Sequence, residues 1–256
     1  MSRIKDTFSN NTDRKILNVY CTAGYPQLNS TLEVMEALQK DGADIIELGI
    51  PYSDPLADGE VIQNSGAIAL ENGMTIEVLF QQLENFRDKI HIPVILMGYL
   101  NPVLQYGFEE FCKKASELGI DGLILPDLPE YEFEANYRQI VKKYQLDFIF
   151  LVTPETSIAR IRQLDELSTG FLYAVSSSST TGSDKNFTDV EKYLGKLETL
   201  GLKNPIMVGF GIKDKATFES ATKHAAGAII GTAYIKALTA SDDIEEGTHA
   251  FLETIK

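Results

Sequence analysis

The chain is poor in the residues that most often announce a mechanism. Cysteine occurs twice in 256 residues, at Cys21 and Cys112. That excludes a disulfide framework, leaves at most one bridge, and makes free thiols in a cytoplasmic protein the simplest expectation. No uncharged apolar run approaches the roughly 20 residues that cross a bilayer. Residues 1–10 are polar and charged, without the apolar stretch of a signal peptide. Basic residues are outnumbered, 23 Lys and Arg against 37 Asp and Glu, for a formal net charge of −14. Such a surface repels phosphodiester backbones, so neither nucleic acid nor a membrane is an expected partner. A phosphorylated small molecule can still bind, through backbone N–H groups instead of a Lys/Arg cluster. Tryptophan is absent altogether.

Hydrophobic residues make up 44% of the chain, enough for a large core. They gather in short, β-branched runs at 16–21, 44–48, 93–97, 122–125, 147–152, 170–175, 205–208 and 226–230. The spacing of about 30 residues is that of one βαβ unit. The runs are nearly continuous in hydrophobicity, as in a parallel sheet buried on both faces. Between them the apolar residues fall at helical spacing, over 75–89, 108–118, 131–144, 157–167, 187–200, 213–224 and 243–255. Ser30 and Glu33 predict a capping box at one helix start. Gly42, Gly119 and Gly201 stand where left-handed C-caps are expected. No linker or low-complexity stretch divides the chain. The pattern predicts an α/β fold, a single-domain (β/α)8 TIM barrel over residues 1–256. An open doubly wound sheet is the alternative; it usually has fewer strands and a Gly-rich first turn, whereas the first strand here runs into Cys21-Thr22-Ala23-Gly24.

In a barrel the chemistry lies at the carboxyl ends of the strands. No Lys stands there, which removes a Schiff base and pyridoxal phosphate in this chain. None of His91, His224 and His249 stands there either, so a metal would need carboxylates alone and no metal site is expected. Glu47 is the strongest signal. Embedded in Ile45-Ile46-Glu47-Leu48-Gly49-Ile50, it should face the barrel mouth among apolar neighbours, with a raised pKa suited to proton transfer. Asp54 and Asp58 follow on a long loop. Asp54-Pro55 and Asp58-Gly59 are turn-like pairs, but Asp58 is placed to fold over the mouth opposite Glu47.

Gly209-Phe210-Gly211 and Gly231-Thr232 follow the last two strands, where barrels commonly hold phosphate. Residues 176–183, small and polar, have the composition of a lid or of a plain surface loop. Tyr20, Tyr99, Leu125 and Phe210 line either core or a pocket for a flat apolar substrate. With neither Lys nor metal, a carboxylate pair can break a C–C bond only if the substrate carries its own electron sink. An indole ring does so once it is protonated at C3.

These residues match a known family. The stretch from Glu47 to Gly59, ELGIPYSDPLADG, closely resembles the signature of the tryptophan synthase α subunit. Thr22-Ala23-Gly24-Tyr25-Pro26, Leu125-Pro126-Asp127-Leu128-Pro129, Thr180-Thr181-Gly182, Gly209-Phe210-Gly211-Ile212 and the run from Ala226 to Gly231 match in order. The resemblance implies cleavage of indole-3-glycerol phosphate to indole and glyceraldehyde 3-phosphate. It implies that Glu47 protonates indole C3 and handles the glycerol hydroxyl proton, while Asp58 accepts the indole N–H. Tyr173 matches an active-site tyrosine, and Tyr20 stands in the indole pocket. Gly182, Gly211, Gly231 and Thr232 match phosphate-holding positions, and Thr181 a lid threonine that orders Asp58. Asp54 matches the face toward a β subunit, which carries the pyridoxal phosphate and receives indole in an α2β2 complex. Tyr20, Ser179 and Thr232 depart from familiar residues (Phe, Gly and Ser), which bears on rate and lid behaviour. Another phosphosugar barrel, a stand-alone lyase and a catalytically silent subunit are the competing readings.

Overall fold

The structure is a computed structural model that describes residues 2–175, 187–209 and 211–256, the side chains of 187–189 excepted. Among the described residues nine short strands form one parallel sheet. They are β1 (Ile16–Thr22), β2 (Ile45–Gly49), β3 (Val94–Met97), β4 (Gly122–Ile124), β5 (Asp147–Phe148), β6 (Leu151–Val152), β7 (Leu172–Val175), β8 (Ile206–Gly209) and β9 (Gly227–Ile230). Their spatial order is β5-β4-β3-β2-β1-β9-β8-β7-β6. The two ends of that order are successive pieces of one stretch of chain. Ile149 N donates to Leu123 O on the β4 side, and Tyr173 N donates to Phe150 O on the β7 side, each at 3.0 Å. The sheet therefore closes, and the eight predicted runs are its eight staves. The fifth stave, expected to be continuous over 147–152, is interrupted where its ladder changes partner.

Alternation along the strands divides the apolar residues into two sets. Those facing outward pack against the helices. Those facing inward form a layer with one residue from each stave: Ile16, Ile45, Ile95, Ile124, Ile149, Phe171, Met207 and Ile229. Branched and bulky side chains fill the barrel centre, so it is a packed core and not a pore. Two residues further along each strand, the same parity brings Asn18, Glu47, Met97, Leu151, Tyr173, Gly209 and Gly231 to the next level up. The site is built on that level.

The N-terminal end of the barrel is closed by a helix that the sequence pattern did not suggest, Arg3–Asn10. Its Ile4 is fully buried and completes the inward layer. Ser2 caps the helix and hydrogen-bonds Asp147, and Arg3 pairs with Asp121 at 2.9 Å. Asp44 and Asp121 anchor the same end. Each accepts a backbone N–H of the neighbouring strand segment (Leu17 N at 2.9 Å, Val94 N at 2.8 Å) and pairs with an arginine, Arg14 and Arg87 respectively.

Other local expectations are corrected. Ser30 lies within a 3-10 turn, Leu28–Ser30, in helical conformation, and makes no side-chain cap, so the capping box with Glu33 does not form. The predicted helix 75–89 ends early, at Ile76–Gln82, because Asn85 turns left-handed (φ 61°) and Arg87 is drawn to Gly119 O and Asp121. The segment predicted as one helix over 131–144 includes a π-helical stretch, Phe133–Tyr137. Helices Glu60–Glu71, Leu100–Tyr106 and Thr232–Ala240 fill loops that the pattern left open. Gly42, Gly119 and Gly201 do have positive φ (90°, 91° and 60°), as expected of helix ends.

Gly227 is required by close approach. A Cβ there would lie 2.2 Å from Ile16 O, a backbone atom of the paired strand. Gly227→Ala is expected to destabilise the barrel by about 2–3 kcal/mol or more, seen as a lower urea midpoint with an unchanged slope. An unchanged midpoint would mean that the strands separate freely at this point.

Candidate active site

Glu47 sits on the inner face of β2 and is only 1% exposed. Its Oε2 accepts a hydrogen bond from Asn18 Nδ2 at 3.0 Å, across the β1–β2 pair. Burial raises its pKa to about 8; the Asn18 hydrogen bond opposes that rise and the charge of Asp58 adds to it. At neutral pH the carboxyl is therefore largely protonated, a state a surface glutamate does not hold.

Asp58 ends the loop after β2, half-buried. Tyr99, just beyond β3, donates its hydroxyl to Asp58 Oδ2 at 3.0 Å and accepts from Ala57 N at 3.0 Å. One phenol thus holds both the carboxylate and the backbone behind it. Burial raises the Asp58 pKa to about 6, with the Tyr99 hydrogen bond acting against the rise. Two carboxyls with unlike surroundings are thereby set on either side of neutrality, one protonated and one ionised. The sequence leaves Tyr99 between core and pocket wall; only the folded loop reveals its grip on Asp58. Tyr52 stacks near it, ring centroids 5.3 Å apart, and accepts from Asn101 Nδ2 at 3.2 Å.

Tyr20 and Tyr173 face the same space. The phenol pKa of each is raised by burial and further by the charges of Glu47 and Asp58, so all four groups share one electrostatic neighbourhood. Glycines make room for both rings. A Cβ on Gly49 would fall 2.1 Å from the Tyr20 hydroxyl, and one on Gly209 2.5 Å from the Tyr173 hydroxyl. Gly209 thus has a packing reason distinct from the ligand approach read from its motif. A chain of hydroxyls links Tyr20 to Thr22 (3.4 Å) and Thr22 to Ser65 (2.7 Å), tying β1 to helix Glu60–Glu71, which begins directly after Asp58 and Gly59.

Gly231 is the N-cap of helix Thr232–Ala240, and no side chain caps that end. Thr232 is exposed at its first position. The free N–H groups and dipole of this helix face the carboxyl end of β9, the place for an anion. Gly211 lies at the end of β8 with φ 41°. Thr181, Gly182, Phe210 and the loop 176–183 lie outside the described residues. Asp54 is exposed and bonded to the Ser53 hydroxyl. His91 is exposed, His224 bonds Glu198 and His249 bonds Asp41, all outside the mouth. Among the described residues no group of three or more His, Cys, Asp and Glu is arranged to hold a metal. Sequence reasoning missed Asn18; the available signal was one amide at inward parity in the otherwise apolar start of β1.

A closed parallel barrel with two differently tuned carboxyls and two tyrosines at its carboxyl-end mouth defines a (β/α)8-barrel protein with a candidate active site. Residues 8–256 match the family described as tryptophan synthase alpha chain. The tryptophan synthase alpha chain of Flavobacterium johnsoniae is 55% identical over 230 residues, covering 90% of this chain and 91% of that protein. That of Bacteroides thetaiotaomicron is 47% identical over 257 residues, with both chains fully covered. The solved tryptophan synthase subunit alpha from Legionella pneumophila superposes with a TM-score of 0.91 at 35% identity, covering 100% of this chain and 97% of that one. The chain belongs to the tryptophan synthase alpha chain family, a family of lyases.

Proposed function

We propose that this chain cleaves indole-3-glycerol phosphate to indole and D-glyceraldehyde 3-phosphate, a carbon–carbon lyase reaction, and works as a single barrel domain. The observation that carries the reading is the split pair: Glu47 buried with a pKa near 8 beside Asp58 with a pKa near 6. At neutral pH the first holds a proton and the second holds a charge. Glu47 delivers its proton to indole C3. The ring becomes an indolenine whose N–H is cationic, and Asp58 accepts that N–H. Glu47, now ionised, takes the proton from the hydroxyl on the side-chain carbon attached to the ring. The C–C bond breaks, its electron pair returns to the ring, and indole and the aldehyde separate with Glu47 protonated again. Tyr20 and Tyr173 flank the ring. Gly231 and Thr232 at the uncapped helix end, with Gly211 and Gly182, hold the phosphate, and Thr181 orders Asp58.

No cofactor enters these steps; pyridoxal phosphate belongs to a β subunit, which accepts the indole in an α2β2 assembly. A partner on the mouth side is supported by apolar side chains left exposed just after successive strands: Leu56 (91%), Leu104 (44%), Tyr131 (64%) and Ile158 (43%). Asp54 lies beside Leu56 on that rim. Exposed large apolar groups that share a face mark contact surfaces, and each of these four stands on a segment that follows the carboxyl end of a strand. The two buried free thiols fit a cytoplasmic setting. No helix among the described residues is long and apolar enough to cross a membrane.

The test is indole release from indole-3-glycerol phosphate, alone and with a tryptophan synthase β subunit. Slow release that the β subunit accelerates supports the α-subunit reading. Fast release without it indicates a stand-alone lyase, and none in either condition refutes the reaction. Tyr99→Phe supplies a second check. Without the phenol's donor the Asp58 pKa rises, so less of it is ionised at neutral pH. For a rise of about one unit the expected loss at pH 7 is about twofold, growing toward pH 6 and recovering by about pH 8. A flat ratio to wild type across pH 6–9 would remove Tyr99 from the tuning of Asp58.

A further inference from the structure

Asn18 is fully buried in the barrel interior, on the inner face of β1, one level below Tyr20. Its inward neighbours along β1 and across the ladder are Ile16 and Ile45. An amide in such a place has a cost. Nδ2 donates to Glu47 Oε2 at 3.0 Å, but Oδ1 is buried with no hydrogen-bond partner. An apolar side chain of similar branched outline, valine or leucine, would strand no polar atom, so packing does not call for asparagine.

We propose that Asn18 is the positioning residue for Glu47, holding one carboxyl oxygen in the barrel interior so that the other faces the substrate, and favouring release of its proton. This rests on the role proposed above for Glu47. A carboxyl that must give and then take a proton passes through both protonation states in each turnover. Asparagine is one of the few neutral side chains that can meet both, donating through Nδ2 to the carboxylate and accepting through Oδ1 from the carboxyl. The unpartnered Oδ1 is the half of this double-sided group left over while Nδ2 donates. Among the described residues, the other groups facing Glu47 push its proton affinity upward or leave it alone. Asp58 on the β2 loop raises it. Tyr20 and Cys21 on β1 and Tyr173 on β7 feel its charge, while Ile95, its ladder partner on β3, is apolar. Among the described residues Asn18 is the side chain that works in the opposite direction.

The experiment compares wild type, Asn18→Leu and Glu47→Gln in two readouts. The first is the pH profile of indole release. The activity carried by protonated Glu47 falls as pH rises through its pKa, so loss of the Asn18 donor is expected to move that alkaline limb up by about one unit. kcat at pH 7 drops about tenfold, through a weaker acid and a freer carboxyl, while KM stays within about twofold. The second readout is the infrared carbonyl band of the Glu47 carboxyl in the ligand-free protein, assigned by its loss in Glu47→Gln and titrated in both other proteins. It is expected to shift by the same amount and does not depend on turnover. Asn18→Val gives the same comparison with a β-branched strand former should the leucine variant fold poorly. A Glu47 titration unmoved in the Asn18 variants, with kcat intact, overturns the inference even where Glu47→Gln is inactive. An active Glu47→Gln overturns the catalytic reading itself, and the infrared titration still reports on the Asn18–Glu47 contact.

Discussion

Glu47→Gln is expected to lower indole formation by on the order of 10³–10⁴-fold, the cost of losing a group that both gives and takes a proton. Glutamine keeps the volume of the side chain and can still meet Asn18, so the barrel and its affinity for glycerol phosphate should survive. Stability should even rise at neutral and alkaline pH. In the folded state the Glu47 pKa stands at about 8, against an ordinary value of 4.5. Between those two values the folded protein holds a proton that the unfolded chain has already released. Unfolding is therefore favoured more as pH increases, and the wild-type protein loses stability through that window. The variant has no such loss, so its advantage grows from pH 4.5 upward and levels off above pH 8. An advantage on the order of a few kcal/mol at pH 8 is expected from urea titrations at pH 5 and pH 8. Equal pH dependence in the two proteins would mean that Glu47 is far less perturbed than its burial implies. Retained indole formation would end its assignment as acid and base.

Asp58→Asn should cost on the order of 10²–10³-fold, for a different reason. The amide can still accept a hydrogen bond from the indole N–H, and the Tyr99 hydroxyl can still donate to it. What disappears is the negative charge set against a cation that forms only as C3 gains its proton. A charge placed in advance at the point where opposite charge develops contributes chiefly to the transition state. The loss should therefore fall on kcat with KM little changed. The acid limb that Asp58 creates, near pH 6 in the wild-type protein, should vanish from the profile. A variant with normal kcat and raised KM would reduce Asp58 to a binding contact.

Both variants concern residues that stand out along the chain, and the reason is physical. A carboxylate inside an apolar β-branched run is costly unless it is used, so Glu47 is conspicuous in one dimension. The staves are conspicuous as well, since a parallel strand buried on both faces cannot alternate. Asn18 and Tyr99 were not. One amide in a strand and one tyrosine after another are unremarkable until the ladder sets Asn18 beside Glu47 and the loop carries Asp58 to the Tyr99 hydroxyl. The Arg3–Asn10 helix escaped for a related reason. Its surface is polar almost all round, and its single buried side chain, Ile4, has meaning only against the eight residues it covers.

The linear chain thus determined what depends on neighbours in sequence: the eight strand runs, the helical spacing between them, the closed barrel they imply, and the buried acid at the end of the second run. Only the tertiary structure decided what depends on atoms brought together from distant positions. It set the break in the fifth stave where the ladder changes partner. It gave Gly49 and Gly209 over to two tyrosine rings, and it joined Asn18 to Glu47 and Tyr99 to Asp58. A pKa belongs with this second group, because desolvation and facing charges are properties of a filled space and no stretch of sequence contains them.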